Sequence, residues 1–248
     1  MIRIAGADGL KKIVLINPKG GCGKTTLATN LASFYALRGS RPTIIDCDPQ
    51  GYCIRWLEQR PTDRPLCYGI EGHAATPGEV LEVPPDSRVA IVDLPSALRS
   101  EALHAYTHLA DRILVPIAPS AIDVFSASRF IAELMLDVQL DRRDRKLAIV
   151  ANRVKNRTKS FEMLQRFLTS LRIPMIATLR DSQVFVHAVS RGLGVFEMPA
   201  YLVRNDLPQM SAITRWLDRP RSSLAREPQA AATGTRPLEP ARDRRPAT

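Results

Sequence analysis

The 248-residue sequence predicts an α/β fold, a three-layer arrangement in which a mostly parallel, twisted sheet carries helices on both faces. Three observations carry that expectation. Short, almost uninterrupted apolar runs alternate with segments of helical period. A glycine-rich loop joins the first run to the first helix. Acidic residues stand at the C-terminal ends of two further runs. Continuous apolarity is what a strand buried on both faces requires, because a half-exposed strand would alternate.

The first run covers residues 11–17 (KKIVLIN) and is followed, after the glycine turn, by an amphipathic stretch over 24–38. Further strands are expected at 42–46 (PTIID), 88–94 (RVAIVDL), 112–117 (RILVPI), 146–152 (KLAIVAN) and 174–179 (PMIATL). Helical patterns occupy 120–140, 160–171, 183–191 and 207–217. Residues 51–87 hold Pro61, Pro65, Pro77, Pro84 and Pro85, and are expected to form surface excursions with one short strand near 66–70. No period typical of a repeat protein is present.

The unit 1–218 is expected to be one folded domain. Residues 219–248 carry seven Arg against three acids and five Pro, with Leu224 and Leu238 as the only large aliphatics. Such a composition cannot offset its ordering entropy by burial, so a disordered tail is expected there. The whole chain carries a formal charge of +10, and its folded part stays basic without the tail, which makes an anionic partner an early expectation. No apolar run approaches the ~18–20 residues that cross a bilayer, and residues 1–10 lack the pattern of an export signal. A cytoplasmic protein without membrane attachment is therefore expected. The four cysteines, Cys22, Cys47, Cys53 and Cys67, form no C-x-x-C pair and are expected to be free thiols, acting as small buried hydrophobes.

The chemistry concentrates in Lys19-Gly20-Gly21-Cys22-Gly23-Lys24-Thr25-Thr26, between a strand and a helix. Phosphate oxygens need several N–H donors at close range, and a backbone free of Cβ bulk can curl to supply them. The N-terminus of the following helix adds its positive end. Lys24 is placed to reach the β- and γ-phosphates, and the Thr25 hydroxyl to ligate Mg²⁺. The fold expected is thus of the P-loop NTPase type. Two acidic motifs accompany the loop: Ile45-Asp46-Cys47-Asp48-Pro49-Gln50-Gly51 and Ala90-Ile91-Val92-Asp93-Leu94-Pro95-Ser96. Taken alone, Asp46 and Asp48 would read as a turn with a helix cap, and Asp93 as a strand end. Their joint placement, at the edge where open α/β sheets bind ligands, favours a phosphate and metal site.

The second lysine heading the loop, Lys19, makes it resemble the deviant phosphate loop of the ParA/MinD ATPases. The resemblance spans roughly residues 11–217. It implies ATP and Mg²⁺ as cofactors, and a homodimer with ATP sandwiched between subunits, in which Lys19 reaches the phosphates bound by the partner, as an arginine finger does in trans. By the same resemblance Asp48 positions the attacking water, while Asp46 and Asp93 support the metal. Asn152, in Val150-Ala151-Asn152-Arg153, is either the family's adenine-recognising Asn or a strand-end turn residue. The segment 178–197 (TLRDSQVFVHAVSRGLGVFE) is similar to the family's late arginine-bearing segment, which implies DNA contacts for Arg180 and Arg191, with Arg204 a further candidate. Gln183 stands where some relatives carry a second basic residue, so that surface is matched in part.

Other residues weigh less. The clusters Arg142, Arg143, Arg145, Lys146 and Arg153, Lys155, Arg157, Lys159 read as a nucleic-acid patch or as a solvated face. His104 and His108 lack a third metal ligand, and Trp56 and Trp216 are expected to anchor packing. The resemblance implies a small ParA-like positioning ATPase: nucleoid-associated, binding DNA without sequence preference, with slow hydrolysis stimulated by a cargo-bound, ParB-like or analogous activator. With ten residues before the first run, no DNA-binding helix-turn-helix is expected ahead of it. A MinD-like membrane helix is not expected in the proline-broken tail, nor an iron–sulfur role without cysteines after Cys67, nor a tyrosine-kinase role with Tyr201 the last tyrosine. The alternative that stays open is a small-molecule ligase of the dethiobiotin synthetase type.

Overall fold

The apolar runs become strands, and their positions in space explain their composition. The computed structural model describes residues 3–220 except 77, 99, 137–145 and 156–157. The first half of the chain forms β1 (Arg3–Ala5), β2 (Lys11–Leu15), α1 (Lys24–Leu37), β3 (Thr43–Asp46), α2 (Tyr52–Glu58), β4 (Tyr68–Glu71), β5 (Val80–Glu82), β6 (Val89–Asp93) and α3 (Ser100–Leu109). The second half forms β7 (Arg112–Ile117), α4 (Ala121–Leu136), β8 (Leu147–Val154), α5 (Lys159–Leu171), β9 (Met175–Arg180), α6 (Gln183–Val189), α7 (Ala200–Val203) and α8 (Leu207–Asp218). Seven parallel strands make the main sheet in the order β4-β3-β6-β2-β7-β8-β9.

Every residue of β3, β6 and β7 is buried, as strands covered on both faces demand. Successive residues of β2 feed different layers. Val14 joins a core with Leu103 of α3, Ile131 of α4 and Leu164 of α5. Ile13 and Leu15 join a second core with Leu31 of α1, Trp56 of α2 and Ile213 of α8. That alternation is the period of two that places successive side chains on opposite faces.

Several expectations change. The stretch 24–38 is not amphipathic: α1 buries ten of its fourteen residues, Asn30 and Ser33 among them. It is covered on its outer side as well, because the 3₁₀ turn Val195–Glu197 lies against it. The Val195 amide donates to Asn30 Oδ1 at 2.8 Å, and a Cβ on Gly194 would stand 1.8 Å from Ser33 Oγ. Residues 51–87 are more ordered than their prolines suggest, holding α2, β4 and β5. A strand also precedes the expected first one, since β1 pairs in parallel with β5 in a separate two-stranded sheet. Lys146 belongs to no surface patch; it is buried, and its ammonium donates to the Thr107 carbonyl at 2.9 Å. Arg142, Arg143, Arg145, Arg157 and the tail beyond 220 lie outside the described residues. Trp56 and Trp216 are buried as expected, and all four cysteines are free.

A buried ion pair ties the late segment to α2. The Arg60 guanidinium meets the Glu197 carboxylate at 2.6 and 3.0 Å. It also donates to the carbonyls of Pro65 and Gly192, and Glu197 accepts the Gly194 amide at 2.9 Å. The side chains of Arg60 and Glu197 are 6% and 0% exposed. Removing one partner of such a pair leaves an uncompensated buried charge. Arg60→Ala is therefore expected to cost about 3–5 kcal/mol, read from urea denaturation; an unchanged midpoint would contradict this role.

Candidate nucleotide and metal site

The site lies along the C-terminal edge of the three neighbouring strands β3, β6 and β2. Parallel pairing places Asp46 beside Asp93 and Asp93 beside Leu15. On either side of β2 the chain order runs in opposite directions, to β6 and to β7. That is the crevice in which open parallel sheets take ligands.

The loop after β2 depends on two left-handed glycines, Gly21 (φ 71°) and Gly23 (φ 102°). At Gly23 a Cβ would also stand 2.1 Å from Asn152 Nδ2, so both backbone angle and space call for glycine. Asn17, which the sequence did not single out, organises the loop. Its amide donates to the Pro116 carbonyl at 2.6 Å, its Oδ1 accepts the Lys19 amide at 2.9 Å, and its carbonyl accepts the Lys24 ammonium at 3.1 Å. Lys24 is buried, with Ser96 Oγ at 3.5 Å as a further neighbour. A buried ammonium folded across its own loop is a cation held where phosphate oxygens would sit. Asn152 closes the loop from β8, donating to the Cys22 carbonyl at 2.8 Å.

The acids meet at the base of the loop. Asp93 Oδ2 accepts the Thr25 hydroxyl at 2.6 Å. Its Oδ1 is buried and has no hydrogen-bond partner among the described residues. Burial pushes the Asp93 carboxyl up to about 6, against the opposing pull of its Thr25 and Cys53 hydrogen bonds. Asp46 is raised by burial as well, with the amides of Ile54, Asp48 and Cys53 opposing. These amides come from α2 and the turn before it: Cys53 N at 2.8 Å and Ile54 N at 3.2 Å donate to Asp46 Oδ2, and Asp48 N to Oδ1 at 3.2 Å. Gly51, with φ 64°, makes the turn from which α2 starts. An orphaned buried carboxylate oxygen next to a threonine hydroxyl fits a hard divalent cation of the Mg²⁺ kind, whose ligands are oxygens. Asp48 is more open, and its Oδ1 accepts the Gln50 amide at 3.0 Å.

Lys19 differs from Lys24. Its side chain is 40% exposed and paired with Asp123 of α4. Asp123 is itself fixed by Ser120, whose hydroxyl donates to Oδ2 at 2.6 Å and accepts the Asp123 amide at 3.1 Å. A cavity of about 790 Å³ opens from Thr25 and Thr26 toward Asn152, Arg153, Asp181 and Ser182, with Trp56 and Phe185 on its walls. Its size and mixed lining suit a bound nucleoside. The arginines of the late segment divide. Arg191 and Arg204 are exposed, whereas Arg180 meets the fully buried Asp206 through Nε and Nη2, both at 2.8 Å. Its guanidinium is thus engaged at the base of α8 rather than simply projecting outward.

Lys24→Ala removes the buried cation while leaving the glycines in place. It is expected to weaken ATP binding by about 10–100-fold or more, the value of charge-assisted phosphate contacts, in a fluorescence or calorimetric titration. Wild-type affinity would remove the phosphate-loop assignment.

The comparisons with known proteins agree with this geometry. Residues 13–195 match the family model described as the CobQ/CobB/MinD/ParA nucleotide binding domain. The chain is 28% identical over 191 residues to the maintenance of carboxysome distribution protein A of Halothiobacillus neapolitanus, covering 76% of this chain and 88% of that protein. It is 36% identical over 121 residues to the chromosome-partitioning ATPase Soj of Thermus thermophilus, covering 45% of this chain and 47% of that one. An ATP complex of a Cyanothece McdA variant shares the fold, with a TM-score of 0.61 at 16% identity over 84% of this chain and 96% of that one. Phosphate loop, paired strand-end acids and parallel sheet together make this chain a ParA/MinD-like ATPase of the CobQ/CobB/MinD/ParA family.

Proposed function

We propose that the chain is a positioning or segregating ATPase that dimerises with ATP between its subunits, binds nonspecific DNA as a dimer, and is released when a cargo-bound activator stimulates slow hydrolysis. The observation that carries this reading is the division of labour between two lysines. Lys24 is buried inside its own loop, while Lys19 is half-exposed at the loop's mouth and reaches out of the loop to Asp123 of α4. One cation is enough to hold phosphates in cis; a second held outside the loop suits phosphates bound by another copy. The relatives' names, which concern carboxysome distribution and chromosome partitioning, support the positioning role.

When bound, Mg²⁺ neutralises phosphate charge and orients the γ-phosphoryl group; Thr25, Asp46 and Asp93 are the residues that would hold it. The loop amides and Lys24 bind the phosphates, and the 790 Å³ cavity beyond Asn152 receives the base. Asp48, at the open end of β3, orients the attacking water. The pairing of Lys19 with Asp123 keeps the trans cation in cis until a second copy offers a phosphate. DNA is held through phosphate contacts by the exposed Arg191 and Arg204, with Arg180 contributing from its Asp206-held position. The basic balance of the chain supports such an anionic partner, and the reading implies a nucleoid-associated protein. Among the described residues no helix is long and apolar enough to cross a membrane.

Lys19→Ala is expected to bind ATP with near wild-type affinity yet remain monomeric, as read by light scattering with and without nucleotide. An ATP-dependent dimer of that variant would overturn the trans role.

A further inference from the structure

The acids at the base of the phosphate loop share their site with a sulfur. Asp46 Oδ, Asp93 Oδ and Cys53 Sγ all lie within 4.8 Å of one another, and all three residues are buried. Two carboxylates, 0% and 1% exposed, are held side by side by strand register. Isolated anions in so little water are costly, and the cationic side chain that acts on Asp93 is Lys24, which bonds elsewhere. Asp93 Oδ1 is buried and has no hydrogen-bond partner among the described residues, while the other oxygen of the same carboxylate meets the thiol. Cys53 is brought there by the turn at Gly51 and the first residues of α2, and its Sγ stands 3.4 Å from Asp93 Oδ2.

A magnesium ion has no use for the sulfur, because it demands an octahedron of oxygens. A thiolate with two carboxylates is instead a donor set for a borderline-soft divalent cation, which takes sulfur at about 2.3 Å and carboxylate oxygen at about 2.0–2.2 Å. The geometry points to Asp46, Cys53 and Asp93 as a site for a thiophilic divalent cation of the zinc class in the nucleotide-free protein. On binding, the Cys53 S–H bond is exchanged for an S–metal bond and the proton leaves to solvent; no electron moves. The ion occupies the carboxylates that the magnesium nucleotide needs, so zinc and magnesium nucleotide exclude one another. This goes beyond the nucleotide reading and does not depend on it, since the ion binds without nucleotide.

The test uses the full chain, freed of metal and nucleotide, titrated with Co²⁺ alone and followed by absorption. A thiolate-to-cobalt charge-transfer band that saturates at one ion per chain and disappears when Zn²⁺ is added is expected. Cys53→Ala should abolish the band and weaken Zn²⁺ binding by about tenfold or more, since even residues behind the ligands are worth that much. Cys67→Ala should leave both intact. Cys53→Ser, which keeps the size of the side chain, gives the same reading if the alanine variant does not fold. No band, or a band that persists in the folded Cys53 variants, overturns the site, whatever the ATP titrations show.

Discussion

The structure is organised around a costly arrangement, two carboxylates buried next to each other at the ends of adjacent parallel strands. Asp46 and Asp93 are register partners, so no local rearrangement can separate them without slipping β3 against β6. Their charge in a low-dielectric setting has to be met by donors, and much of the surrounding chain supplies them. The turn at Gly51 starts α2 where the amides of Cys53 and Ile54 point at Asp46. Thr25, on the first turn of α1, points its hydroxyl at Asp93. One carboxylate oxygen is still left over. That remainder is the physical basis for a cation-dependent site, and it explains why the phosphate loop and the strand-end acids must be read together.

From that centre the site grades outward from rigid to exposed. Lys24 is buried and tied to Asn17, which also fixes the Lys19 amide and reaches across to β7. Asn152 braces the loop from β8. Farther out, Lys19 is held by a single carboxylate that is itself positioned by Ser120. Asp123 is buried while the Lys19 side chain is 40% exposed, so this contact is charge-assisted and partly shielded from water. The Arg60–Glu197 pair, buried on both sides, locks the late segment against α1 and α2 so that the cavity wall is fixed.

The legible parts of this design were those written locally. The loop from Lys19 to Thr26, Asp46, Asp48 and Asp93 could be read because strand, turn and helix signals are contiguous there. The strands of the main sheet were legible because burial on both faces leaves unbroken apolar runs. What escaped depends on distant partners. β1 and β5 have three residues each and pair across more than seventy intervening positions, so neither carries enough pattern alone. Helix α2 is stabilised by the Asp46 carboxylate, six residues before its start, rather than by a side-chain cap of its own. The outer face of α1 carries Asn30 and Ser33 yet is buried because the 194–197 turn packs on it, and a single helix cannot announce its lid. Lys146, read as part of a basic run, is turned inward by the Thr107 carbonyl. The role of Asn17 had one sequence signal, its place immediately before Pro18 at a strand end, where Asn favours a side-chain turn.

The proposed control of DNA binding by nucleotide state is tested most directly by binding of the chain to a nonspecific duplex with ATP, with ADP and without nucleotide, across a salt series. Binding with ATP that weakens steeply as salt rises, with little binding in the other two conditions, is the expected result. Equal binding in all three conditions, or none with ATP, would contradict it.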